Sequence, residues 1–168
     1  LGENAKEIAR IKENLASLMQ NEVFDLDSIS INATASPEGS YDLNSRLAHS
    51  RSVSVTNYFT KYIKHYKDSL EREKGFSMVV GDDMDETIVS QEKMPDIRLT
   101  PRSTPENWED LAEYIRRDTV MTDDQKNEYF DHHDKHKPDA REAKLKNYSW
   151  YPHMKKNIYP KLRTVKFN

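Results

Sequence analysis

Asn44 and Arg51 are seven residues apart, two turns of a helix, so both project from nearly the same face, and the small Ala48 keeps the space between them narrow. Just upstream, Ser36-Pro37-Glu38-Gly39-Ser40 joins a proline without a backbone donor to a glycine free to take the positive φ of a tight turn. A loop in that place leads into a helix N-terminus, where free N–H groups and the positive end of the dipole favour an anion. A guanidinium fork beside them suits a carboxylate. The chemistry is recognition of charge, not bond making. No His-Glu-x-x-His, Gly-x-Ser-x-Gly or Gly-rich phosphate loop occurs, so an enzyme is not expected.

Two other groups of residues invite a chemical reading. Asp131-His132-His133-Asp134-Lys135-His136 sets His132 and His136 at i, i+4, with an Asp as third metal ligand, and a metal-dependent hydrolase is the reading that would use them. The stretch is highly polar, which favours a solvated face; neither a metal nor a cofactor is expected. The aromatics Trp108, Tyr114, Tyr148, Trp150, Tyr151 and Tyr159 suit a sugar-stacking platform, but more often such residues form the core and rim of a helical layer.

These residues need elements to position them. Asn4-Ala5-Lys6-Glu7 fits a capping box, and Ala5, Ile8, Ile11, Leu15, Leu18 and Met19 follow at helical spacing, predicting a helix over 4–20. From Leu26 the period changes to two, with Ile29, Ile31, Ala33 and Ala35 on the core face of a strand. Ser40 can cap a long helix over 41–66, whose stripe is Leu43, Leu47, Val55, Phe59, Tyr62, Ile63 and Tyr66, interrupted by the polar run His49 to Ser52. Phe76 to Val80 is a short strand candidate, which makes 26–80 a right-handed parallel strand-helix-strand crossover. Gly81 to Pro101 reads as loop with a strand at Ile97 to Leu99. Thr104-Pro105-Glu106 supplies an N-cap, an N1 proline and an acidic first turn for a helix carrying Trp108, Leu111, Ala112 and Ile115. Further helices begin at the capping box Thr122 to Gln125, near Pro138-Asp139, and between Pro152 and Ile158; Leu162 to Phe167 closes as a strand with Val165 and Phe167 on one face.

Composition sets the outer bounds. At 168 residues, with 35% apolar and 33% charged residues but nine Tyr, five Phe and two Trp, the chain reads as one packed α+β domain over 1–168 with a very polar surface. Without cysteine it has no disulfide framework, and no apolar run approaches the roughly 18 residues of a membrane helix. The net charge of -3 is unevenly spread: Gly81 to Asp134 holds 16 acidic and 6 basic residues, Lys135 to Asn168 only 2 acidic and 10 basic. Mutually neutralising surfaces are the simpler reading; a basic patch for an anionic envelope polymer, lipid or nucleic acid is the other. Beginning at Leu1-Gly2 and stopping on the strand-like Arg163 to Phe167, the chain is expected to be a segment of a longer protein.

Ile31-Asn32-Ala33-Thr34-Ala35-Ser36-Pro37-Glu38-Gly39, followed by Asn44, Leu47, Arg51 and Val55, resembles the OmpA-like peptidoglycan-associated domain over about 40 residues. That family has an Asp three residues before the loop Gly, then Asn, Leu-Ser, Arg-Ala and Val at the same offsets. The wording Ala-Ser-Pro-Glu-Gly is similar to the variant in larger envelope proteins of Bacteroides-type bacteria. Glu106 to Leu111, Asp139 to Leu145 and Tyr159 to Arg163 resemble their continuation. The resemblance implies a βαβαβ mixed sheet packed by helices, with a helical insertion over about 104–160 before the final strand. It also implies a periplasmic or outer-membrane location and a non-catalytic role, binding the diaminopimelate of peptidoglycan or an envelope partner, with no nucleic acid. Arg51 matches the ligand arginine, Asn44 the helix asparagine and Gly39 the loop glycine. Ser36 stands where the family has Asp, and a hydroxyl cannot replace the carboxylate that meets the ligand's ammonium; Glu38, two residues on, is the compensating candidate. Ser36, Glu38, Gly39, Asn44 and Arg51 are thus the expected ligand residues. A protein-protein assembly module with a decayed pocket is the alternative.

Overall fold

The computed structural model describes residues 2–21, 27–79, 96–132 and 136–168. The fold is α+β. Its elements are α1 (Glu3–Met19), β1 (Ser28–Thr34), α2 (Tyr41–Val79), β2 (Arg98–Thr104), α3 (Trp108–Arg117), α4 (Asp123–His132), α5 (Pro138–Leu145), α6 (Tyr151–Asn157), a 3-10 turn (Tyr159–Leu162) and β3 (Val165–Phe167). Contacts gather into two compact units, Leu1–Ile29 with Thr56–Thr100 and Ser30–Val55 with Pro101–Asn168.

The strands form one sheet in the order β2-β1-β3. β1 alternates as its sequence requires, with Ile29, Ile31 and Ala33 buried and Ser30 and Asn32 partly open. β3 pairs with it antiparallel, setting Ile31 opposite Phe167 and Ala33 opposite Val165. On the other side Arg98 N donates to Asp27 O and Asn107 N to Ala35 O, both partners advancing together, so β2 runs parallel to β1 and the sheet is mixed. β2 lies at an edge, where its Pro101 is tolerated.

Several expectations change. Phe76 to Val79 is the last turn of α2, not a strand: α2 runs unbroken for 39 residues, and the parallel partner of β1 is the segment first suspected at Ile97 to Leu99. Val80 lies outside the described residues. The leading half of the apolar stripe is also rotated. Leu43 and Leu47 are exposed, and the buried face is Asn44, Ala48, Ser52 and Thr56 before Phe59 and Ile63. Small and polar side chains occupy it, and the Ser52 hydroxyl satisfies itself on His49 O. α1 starts at Glu3 with Gly2 as N-cap, so Asn4 caps nothing. Thr104 closes β2, where its hydroxyl pairs with the Asn32 amide; α3 is capped by Asn107, whose side chain accepts from Asp110 N. Leu162 belongs to the 3-10 turn, so the last strand begins only at Val165. The Thr122–Gln125 capping box forms in both directions.

In the first unit α1 buries Leu15 and Met19, while its Lys12 lies over the rings of Tyr58 and Tyr62 at 5.1 Å and Tyr62 Oη donates to Lys12 O. In the second unit the helical segment between β2 and β3 has its own core of Leu111, Ile115, Tyr129, Leu145, Met154 and Ile158 with the aromatics Trp150, Tyr151 and Tyr159. Trp108, Tyr114 and Tyr148 pack against it, partly buried. The aromatic set is therefore core and rim. Because Ile31 is wholly buried on the central strand, Ile31→Ala should lower unfolding free energy by about 2–5 kcal/mol in urea titration. A loss below about 1 kcal/mol would be incompatible with that position.

Candidate functional site

The loop between β1 and α2 forms as its residues demand. Gly39 takes φ +96°, a conformation that disfavours a side chain, and the space its Cβ would enter is bounded by Leu43 Cδ2 at 3.8 Å and Asn44 Oδ1 at 3.9 Å. Ser40 then caps α2: its Oγ accepts from Leu43 N and its carbonyl from Asn44 N. The exposed first amide of α2, Tyr41 N, donates to Asp139 Oδ1 at 2.7 Å, so a carboxylate already sits at the dipole end.

The side chains of Ser36, Glu38, Asn44 and Arg51 each have a partner within their own unit. Ser36 is buried, and its Oγ accepts from Arg163 Nε at 3.2 Å. Glu38 receives Arg163 Nη2 at 2.9 Å and Lys155 Nζ at 2.8 Å. The Lys155 hydrogen bond, more than any other influence, holds the Glu38 carboxyl below the usual range, helped by the charges of Lys155, Arg163 and Lys146 against a partial desolvation. Asn44 is buried and donates through Nδ2 to Glu106 Oε1 at 2.9 Å. Arg51, half-buried, donates through Nη1 to Thr34 O at the end of β1. Ser36 and Glu38 come together on one guanidinium, whereas Asn44 and Arg51, although on one helix face, reach different acceptors.

The residues that complete the loop were not evident in the sequence. Arg163 is separated by 127 residues from Ser36, and nothing local marks it. Glu106 is buried with both oxygens engaged, Oε1 by Asn44 and Oε2 by Trp108 Nε1 at 2.9 Å. Burial pushes its carboxyl up, and the negative charges of Asp139 and Glu142 add to that; the two hydrogen bonds act in the opposite direction. Arg141 stacks over the Trp108 ring at 4.5 Å. Beside Glu38, the buried Glu142 accepts from Tyr151 Oη and pairs with Lys146 Nζ at 2.6 Å. Burial and that carboxylate together push the Tyr151 phenol up, so it stays a donor. The uneven charge of the sequence was the available hint, and pairs such as Lys166 with Asp110 at 2.7 Å do join acidic to basic segments.

Among the described residues no group of three His, Asp or Glu side chains could hold a metal ion. The side chain of His132 and residues 133–135 lie outside them. No helix of the described residues is long and apolar enough to cross a membrane.

Two predictions test these assignments. Glu106→Ala leaves the buried Asn44 donor and the partly buried Trp108 donor without an acceptor and should cost about 2–4 kcal/mol in chemical denaturation, whereas Glu106→Gln should cost less, because Asn44 can flip its amide to present Oδ1. Equal losses would show that the hydrogen bonds do not matter. Asp118 is buried enough to raise its carboxyl, but hydrogen bonds from His153 and from the amides of Met121 and Val120 outweigh this and lower it. A folded value below the unfolded one stabilises fully above the unfolded Asp range, near about pH 4, and the contribution fades as pH falls through the folded value. Unfolding free energy measured from pH 6 to pH 2 should therefore fall less steeply in Asp118→Asn than in the wild type; parallel curves would contradict the assignment.

No protein-family model matches this chain, and no curated protein or solved structure matches it.

Proposed function

We propose that the chain is a non-catalytic cell-envelope domain of OmpA-like type that acts as a protein-protein assembly module, its ancestral ligand loop closed by charges of its own. The observation that carries this reading is Arg163, which lies on Ser36 and Glu38 where an OmpA-like loop would receive the ammonium group of diaminopimelate. Asp139 does the same for the carboxylate, sitting on the first amide of α2. Both signs of the ligand's charge are thereby supplied from within, by segments that lie between β2 and β3. Lys155 adds a second cation to Glu38, so the loop keeps no unbalanced acidic group for an incoming ammonium. The expected location is the periplasm or the outer membrane, on the strength of the resemblance of Ile31 to Val55 to that family.

Peptidoglycan binding is the second reading. In its favour, the Arg163–Glu38 and Tyr41–Asp139 bonds are both solvent-exposed, so a ligand could exchange with them, and Gly39, Asn44 and Arg51 keep the family's register. Calorimetric titration with a diaminopimelate-containing muropeptide separates the two. The assembly module should give no saturable heat with either wild type or Arg51→Ala. Saturable binding by the wild type that Arg51→Ala abolishes would replace it with the peptidoglycan reading.

A further inference from the structure

In the cluster around Glu38 the carboxylates lie inward of the cations, whereas Asp139, on the first amide of α2, is an exposed carboxylate of the loop's other flank. The Glu142 side chain is 3% exposed and that of Glu38 35%, whereas Lys146, Lys155 and Arg163 expose 53%, 51% and 47% of theirs. The five charges act on one another: Lys146 is felt at Glu38, and both Glu142 and Arg163 are felt at Lys155. Three cations against two carboxylates leave the cluster positive, and solvent meets the cations first. Their bonding capacity is not exhausted. An ammonium has three donors, and Arg163 commits Nε and Nη2 to the loop, with no bond from Nη1 among the described residues.

On the other flank of the same loop α2 exposes two leucines beside the Asp42–Arg46 ion pair. Leu43 borders Gly39, and Leu43 and Leu47, one turn apart on α2, are exposed at 45% and 47%. A phosphate polymer would use the cations and gain nothing from two leucines, whereas an acidic peptide with apolar side chains would use both.

We propose that this face docks an acidic segment of a partner protein, whose carboxylates bridge Lys146, Lys155 and Arg163 while its apolar side chains cover Leu43 and Leu47. The inference rests on the assembly reading and supplies its partner chemistry; it uses neither Asn44 nor Arg51.

The test is an amide-resolved NMR titration of the chain with a synthetic peptide alternating Glu and Leu, alongside a Lys–Leu peptide, inorganic polyphosphate and the diaminopimelate muropeptide. The Glu–Leu peptide should give saturable shifts in residues 36–47 and 144–163. Lys155→Ala and Leu47→Ser, both surface changes whose melting curves verify folding, should each weaken it by about threefold to tenfold. Absence of saturable shifts overturns the proposal, as does equal binding of the Lys–Leu peptide. Polyphosphate binding that is as tight and indifferent to Leu47→Ser would replace a protein dock with a phosphate-polymer site. Muropeptide binding lost in Arg51→Ala would overturn the assembly reading itself, whereas silence towards every ligand would remove only the docking surface.

Discussion

Glu106 takes a carboxylate into the interior of the second unit, and the arrangement around the loop depends on satisfying it. Taking a charge out of water costs several kcal/mol unless donors replace the solvent. Asn44 and Trp108 do so, one from α2 and one from the first residue of α3. Asn107, between Glu106 and Trp108, donates its amide to Ala35 at the end of β1 and caps α3 with its side chain. Arg141 of α5 closes over the Trp108 ring. Three consecutive residues therefore tie the end of β1, the start of α2, α3 and α5 together. The register of Asn44 on α2 is set by that carboxylate, and Asn44 in turn lies against the loop at Gly39.

What could be read from the sequence is what depends on neighbours within a turn or two. The alternation of Ile29, Ile31 and Ala33, the Ser40 cap, the Gly39 turn and the Thr122–Gln125 box are all local patterns, and all form. Local pattern also misleads where a distant partner decides. Phe76 to Val80 is an apolar run too short for its periodicity to separate strand from helix. Leu43 and Leu47 suggest an inward stripe, but that face would leave Asn44 and its bond to Glu106 outside. Thr104 looks like an N-cap until Asn32, across the sheet, takes its hydroxyl.

The same limit governs the loop. Gly39, Ser36 and Glu38 are candidates because one short loop carries them in the register of the family that it resembles. Their counter-charges Arg163 and Lys155 come from beyond α5, and neither has a local signal that assigns it to residue 38. Asn44 and Arg51 are correctly on one face, yet a shared face does not set a shared target: one reaches Glu106 and the other Thr34 O.

The separation between Ser36 and Arg163 also bears on the order in which the chain can fold. Contacts between residues far apart in sequence require large loops to close first, and they form late and slowly. The cap, the turn and the α2 N-terminus can assemble from a dozen neighbouring residues. The charge on the loop is settled only when the 3-10 turn delivers Arg163 and β3 docks beside β1, which Thr34 helps by accepting the amide of Thr164 at its own hydroxyl. Until then Ser36 lacks its donor and Glu38 is met by Lys155 alone. An intermediate lacking β3 and Arg163 would therefore present to its surroundings a recognition surface one positive charge poorer than that of the finished domain.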